Sequence, residues 1–168
     1  PGAFQASLDG IRHAREAGIR VQINTTVTTA NVHELPAILA LSAELGASSF
    51  DMFFLVPTGR GKELRDIELS PEQYEDTLRW VYRAAADAPI GIKTTCAPYI
   101  TRIVDDEISR DTSRASDADP KGPRVTGCMA GRGFVFISHR AELQPCGFFD
   151  EPCGNLREAD FDFGRLYR

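Results

Sequence analysis

The sequence predicts an α/β protein on a parallel sheet, followed by a small cysteine-bearing β unit. Three observations predict it. Helix-like and strand-like segments alternate through residues 1–110. That pattern stops over 111–125, and a short hairpin-like pattern follows. All four cysteines fall at Cys96 or later, at the ends of predicted elements.

The elements follow in order. Phe4, Leu8, Ile11 and Ala14 recur at helical spacing over residues 4–16, and Gly18 supplies a C-terminal stop. Residues 21–27 alternate and are rich in β-branched side chains, as a strand requires. Asn31 opens a second helix, with Glu34 as its capping-box partner and Leu35, Ile38, Leu39, Leu41 and Leu45 inward, ending near Gly46. Ser49–Val56 is a nearly continuous apolar run, the pattern of a strand covered on both faces. Ser70-Pro71-Glu72-Gln73 starts a third helix that runs to about Ala86. Residues 90–95 form a third strand, and 98–110 a further helix with Ile100, Ile103, Val104 and Ile108 inward. Strands alternating with helices of this length mean βαβ units and a parallel sheet. Three strands leave both edges open, which together with Pro1 in place of an initiator Met suggests a piece of a longer protein.

The predicted domains are therefore 1–110, a linker at 111–125, and a small domain at 126–168. The linker holds only Ala115, Ala118 and Val125 as apolar side chains beside proline, too few to bury a core. In the small domain, residues 134–138 read as a strand, His139–Glu142 as a polar turn, Leu143–Pro145 as the return, and Gly154-Asn155 as loop.

Composition excludes several classes. With 42% hydrophobic and 26% charged residues the chain is an ordinary globular sequence, not a disordered, collagenous or coiled-coil one. Its longest apolar stretch, Met52–Val56, is far short of the roughly 20 residues of a membrane span. A net charge of −5 speaks against a nucleic-acid or anionic-membrane surface. No signal peptide is visible, so a cytoplasmic location is expected.

Function rests on Cys96, Cys128, Cys146 and Cys153, separated by 31, 17 and 6 residues. Buried core thiols are one reading, but core cysteines sit inside apolar periodic segments, whereas Cys128, Cys146 and Cys153 adjoin Gly or Pro and Cys96 lies in Thr-Cys-Ala-Pro. Two disulfides are another, in an oxidising compartment that the α/β pattern does not suggest. Structural zinc is usually held by closely spaced pairs, of which there are none here. Wide spacing suits a four-cysteine iron–sulfur cluster, whose irons are ligated individually. Other motifs fail: His33-Glu34 has Ala37 where a second metal-binding His is needed, and Gly61-Lys62 lacks the rest of a phosphate loop. Gly59-x-Gly61 and Gly131-x-Gly133 lack a third glycine. His13 and His33 read as helix-surface residues, and only His139 lies near cysteines.

The segment GCMAGRGFVFISHRAELQPCGFFDEPCGN (127–155) resembles the auxiliary-cluster segment of radical S-adenosylmethionine (SAM) enzymes of the SPASM/twitch type. KTTCAP (93–98) and FFLVPTGRG (53–61) are similar to the barrel segments of the haem-maturation subgroup. The resemblance implies that residues 1–110 are the C-terminal half of a partial (β/α)6 barrel. It implies that all four cysteines ligate one auxiliary [4Fe-4S] cluster, Cys96 from the last barrel strand and the others from the small domain. In such enzymes a second [4Fe-4S] cluster cleaves SAM to a 5′-deoxyadenosyl radical, fed by an external electron donor. The auxiliary cluster then exchanges an electron or anchors substrate. The Cys-x3-Cys-x2-Cys motif of the SAM-cleaving cluster is absent, so this piece alone is expected to be inactive. Asn24 and Thr26, at a strand C-terminal end, are candidates to bond the cofactor, and Arg60 to pair with a carboxylate. The substrate is a modified tetrapyrrole or a peptide, with Arg132 and Arg140 as further partners for porphyrin carboxylates. A stand-alone electron-transfer module and a zinc-stapled domain are the alternatives. One departure concerns Ala141, where family members carry glycine in the hairpin turn. A positive φ there would cost alanine about 1 kcal/mol.

Overall fold

The computed structural model describes residues 2–110 and 127–167. The predicted linker, 111–125, lies outside the described residues. The chain divides into two units, Pro1–Gly127 and Cys128–Arg168, which are taken in turn.

In the first unit the elements are α1 (Ala3–Glu16), β1 (Gln22–Val27), α2 (Leu35–Glu44), β2 (Ser49–Phe54), α3 (Pro71–Asp87), β3 (Gly91–Thr95) and α4 (Ile100–Arg110). The three strands are parallel in the order β1-β2-β3, as the alternation predicts. Central strand β2 buries Phe50, Met52 and Phe54 on one face and Asp51 on the other. Each of those large side chains contributes about 1.5–3 kcal/mol by leaving water. They meet Leu35 and Leu39 of α2, Leu78 and Val81 of α3, and Ile100 and Ile103 of α4. That cluster is the core.

Local chemistry sets the helix ends. The Ser70 hydroxyl accepts from Gln73 N at 3.2 Å and the Gln73 side chain accepts from Ser70 N at 3.0 Å, the predicted capping box. Helix α2 ends at Gly46, whose φ of +67° lets its N–H reach Ala43 O while Ala47 N–H reaches Ser42 O. Two expectations need correction. Asn31 does not cap α2: its side chain accepts from Thr28 N and donates to Thr26 O, both at 2.9 Å, and a short 3₁₀ turn, Val32–Glu34, intervenes. The backbone it satisfies belongs to the preceding turn. In α4, Ile108 is 45% exposed, since that helix meets the core through Ile100, Ile103 and Val104. Helix α1 forms where its spacing predicts it, with no residue buried and Phe4 66% exposed. The segment after β2 forms a 3₁₀ segment, Gly59–Ile67.

The second unit carries β4 (Phe136–Ile137), β5 (Glu142–Gln144), β6 (Gly154–Asn155) and a short helix α5 (Phe163–Leu166). The hairpin is present, but Gly154-Asn155, expected as loop, is a third antiparallel strand beside β5. Ala141 has φ +65°, the left-handed conformation that glycine favours. Its N–H bonds Ser138 O and its carbonyl takes Leu156 N–H, so backbone bonds on both sides hold the turn. Buried apolar side chains in this unit are Ala141, Leu143, Leu156 and Ala159 only, with Gln144 as a buried polar one. No helix among the described residues is long and apolar enough to cross a membrane.

Candidate metal centre and polar sheet face

Parallel pairing puts the C-terminal ends of all three strands at one edge of the sheet. Strand alternation then sorts side chains by face. Ile23, Phe50, Met52 and Ile92 turn to the helices. The opposite face is polar. There Asn24 lies opposite Asp51, and Asp51 opposite Lys93, while Thr26 lies opposite Phe53, and Phe53 opposite Thr95. Asn24 and Thr26 are exposed, so both predicted cofactor-binding side chains lie open on this face. The Asn24 side chain accepts from Gln22 at 2.6 Å.

Asp51 organises the face. It is 4% exposed, accepts from the Thr95 hydroxyl at 3.0 Å on each oxygen, and has Lys93 Nζ at 3.6 Å and Gln22 Nε2 at 3.4 Å. Buried carboxylates require such partners. Sequence reading missed this cluster, although an acidic residue inside an otherwise apolar run was a visible signal. Arg60 sits in the 3₁₀ segment after β2, exposed, and makes no ion pair among the described residues. It is available to an anionic partner.

Cys96 follows directly on β3, with φ +60°. A non-glycine residue pays about 1–2 kcal/mol for that conformation. Its carbonyl accepts from the Tyr74 hydroxyl at 3.3 Å. Burial, then the neighbouring Tyr99 and Cys96, push the Tyr74 phenol up to about 12, so it donates throughout the neutral range.

In the second unit, Cys128 and Cys153 are exposed and Cys146 is half-buried. Cys146 lies two residues beyond the end of β5, and backbone bonds tie Cys153 and the segment after Cys128 to the same stretch. Gly131 N–H, just after Cys128, bonds Pro145 O at 3.2 Å, and Cys153 N–H bonds Leu143 O at 2.7 Å. Cys146 begins a turn in which Phe149 N–H reaches its carbonyl at 3.1 Å and Phe148 N–H reaches its sulfur at 3.5 Å. A backbone N–H aimed at sulfur stabilises thiolate and tunes iron–sulfur centres. No disulfide joins any of the four cysteines. Among the described residues no three His, Cys, Asp or Glu side chains are gathered as a metal site. The donor chemistry, all thiol, is the set an iron–sulfur cluster takes. His139 and Arg140, in the turn before Ala141, are exposed, as is Arg132.

Comparison with known proteins finds relatives named for SAM-dependent haem synthesis, in line with the haem-maturation resemblance of the sequence. The AdoMet-dependent heme synthase of Nitratidesulfovibrio vulgaris is 41% identical over 162 residues, covering 96% of this chain and 44% of the relative. The AdoMet-dependent heme synthase of Methanosarcina barkeri is 40% identical over 162 residues, covering 96% of this chain and 46% of the relative. The chain thus spans less than half the length of these relatives. No family model matches. Among solved structures, Streptococcus suis SuiB bound to precursor peptide SuiA aligns with a TM-score of 0.60 at 13% identity, over 96% of this chain and 36% of that one. At that identity the likeness speaks for the fold alone.

Proposed function

We propose that this chain is the part of a radical SAM oxidoreductase that bears an auxiliary [4Fe-4S] cluster, acting on a modified tetrapyrrole. The second unit carries the reading. Cys128–Arg168 is about the size below which a domain needs disulfides, metal or oligomerisation to fold. It buries four apolar side chains, has three cysteines outside its strands, and has no disulfide. A metal centre supplies what its core lacks. Cys128, Cys146 and Cys153 would hold it with Cys96 as the fourth ligand. When bound, the cluster supplies one-electron exchange or an open iron for anchoring substrate.

The chain's own residues do the positioning. Asn24 and Thr26 offer hydrogen-bond partners to the SAM cofactor on the polar face of the sheet, and Asp51, fixed by Thr95, holds Lys93 beside them. Arg60 offers a planar guanidinium to a carboxylate, the group a porphyrin carries on its rim. The names of the haem-synthase relatives favour a tetrapyrrole over a peptide. The SAM-cleaving cluster, and an external reductant for it, belong to sequence beyond these residues in this reading.

The test is iron and acid-labile sulfide analysis of the full-length protein after anaerobic reconstitution, with each cysteine changed to serine in turn. Each variant is expected to lose about four irons and four sulfides per chain. One zinc without sulfide, or unchanged iron in all four variants, overturns the proposal.

A further inference from the structure

We infer that Tyr74 is a positioning residue for Cys96: its hydroxyl holds the Cys96 carbonyl, and with it the left-handed turn that carries the thiol off the end of β3. The inference rests on Cys96 being a cluster ligand, as proposed above.

An extended residue after Thr95 would continue the strand alternation and turn its side chain toward the helices, as Ile92 does. Cys96 leaves that alternation because its φ is +60°. It is the only non-glycine residue with positive φ among the described residues of the first unit. Something must hold it there. The Tyr74 hydroxyl bonds its carbonyl at 3.3 Å. The donor is itself rigid. Tyr74 lies in the first turn of α3, where its N–H bonds Ser70 O at 2.8 Å beside the capping box. Its ring packs on Phe54 at 4.6 Å between centroids and edge-on to Tyr99 at 6.1 Å. Phe54 is 2% exposed and ends β2, so the hydroxyl's position is referred to the core of the sheet. One phenol thereby ties the strand end, the helix start and the cysteine backbone together. Packing alone would be served equally by phenylalanine; the hydroxyl is what reaches Cys96.

Tyr74→Phe keeps the ring contacts and removes the bond. In the reconstituted full-length protein, Cys96 protection against iodoacetamide, read by peptide mass spectrometry, is expected to fall about 2- to 12-fold, the equilibrium factor of one neutral hydrogen bond. Protection of Cys146 is expected to fall less, the thermal midpoint to drop by no more than a few degrees, and the low-temperature EPR spectrum of the reduced cluster to shift. Tyr99→Phe, which leaves that bond intact, is expected to behave as the parent. Equal protection of Cys96 in Tyr74→Phe and parent overturns the positioning role. A Cys96→Ser protein with unchanged iron and EPR overturns the ligand assignment instead, and the inference falls with it.

Discussion

Replacing Thr95 by valine tests what holds the buried carboxylate of the polar face. Asp51 is 4% exposed, and its two oxygens each take the Thr95 hydroxyl at 3.0 Å. Lys93 stands at 3.6 Å with 62% of its side chain in solvent. A hydrogen bond to a charged group is worth about 1.5–3 kcal/mol, whereas an ion pair to an exposed ammonium is worth about 0–1 kcal/mol. Valine keeps the shape and the strand preference of threonine, so only the donor is lost. Thr95→Val should therefore cost about 1.5–3 kcal/mol and Lys93→Met less than about 1 kcal/mol. Trp80 is the only tryptophan of the sequence and packs on the core of this unit, so its fluorescence in urea reports the unit directly. With a slope of about 2 kcal/mol/M the midpoints should fall by about 1 M and less than about 0.5 M. If Lys93→Met costs as much as Thr95→Val, charge rather than hydrogen bonding holds Asp51 and the reasoning is wrong.

Ala141 gives a second test: glycine there relieves about 1–2 kcal/mol of left-handed strain but loses about 0.8 kcal/mol of methyl burial and about 0.4–1 kcal/mol through the unfolded chain. Thermal melts should find Ala141→Gly within about 1 kcal/mol of the parent, and Ala141→Val, β-branched in a buried left-handed turn, worse by more than about 2 kcal/mol. Hydrogen bonds from Arg79 hold the carboxyls of Glu75 and Glu107 below the usual range, with Arg102 adding to the effect on Glu75. Their folded values lie under an unfolded value of about 4.3, so the α3–α4 contribution is complete above that pH and is lost as pH falls through the folded values. Melting midpoints measured from pH 7 to 2 should drop on that acid limb, and Arg79→Met should flatten the drop; a difference between the two proteins that is the same at every pH counts against the ion-pair origin.

Wherever a local rule and the global pattern agreed, the sequence was readable. Ser70 and Gln73 cap α3 because two side chains and two backbone groups satisfy one another within four residues. The burial of Phe50, Met52 and Phe54 followed from the apolar run of β2, whereas its other face, expected to be covered as well, is polar, with Asp51 buried among hydrogen-bond partners and Phe53 only half-buried. Asn31 misled because an Asn at a helix start has two sets of orphan backbone groups within reach, and here the turn at Thr26–Thr28 takes both ends of its amide. Ile108 misled because helical periodicity gives a face but not how far the partner surface extends. The strand at Gly154-Asn155 carries no β-propensity at all; its pairing with Glu142 and Leu143 is long-range. Of the candidate site, the cysteines stand out in the sequence, three of them directly beside Gly or Pro. The Tyr74–Cys96 bond was not, since 22 residues separate its partners and nothing in either segment announces the other.

The two units are held by different physics, and that difference bears on function. The first closes a core of large side chains, with Phe50, Met52, Leu78 and Ile103 fully buried, so it leaves its opposite face free to be polar without losing its fold. Asn24, Asp51 and Lys93 occupy a surface the core does not need, which is the condition for side chains there to serve a ligand. The second unit has no such reserve. Leu143 and Leu156 are its only large buried apolar residues, while Phe134, Phe149 and Phe161 are each more than half exposed. Its turns are closed by backbone bonds around Pro145 and Leu143, next to the cysteines themselves. In that arrangement any centre the cysteines hold is a structural member as well as a chemical one, because the bonds that would bind it are the ones the unit lacks in its core.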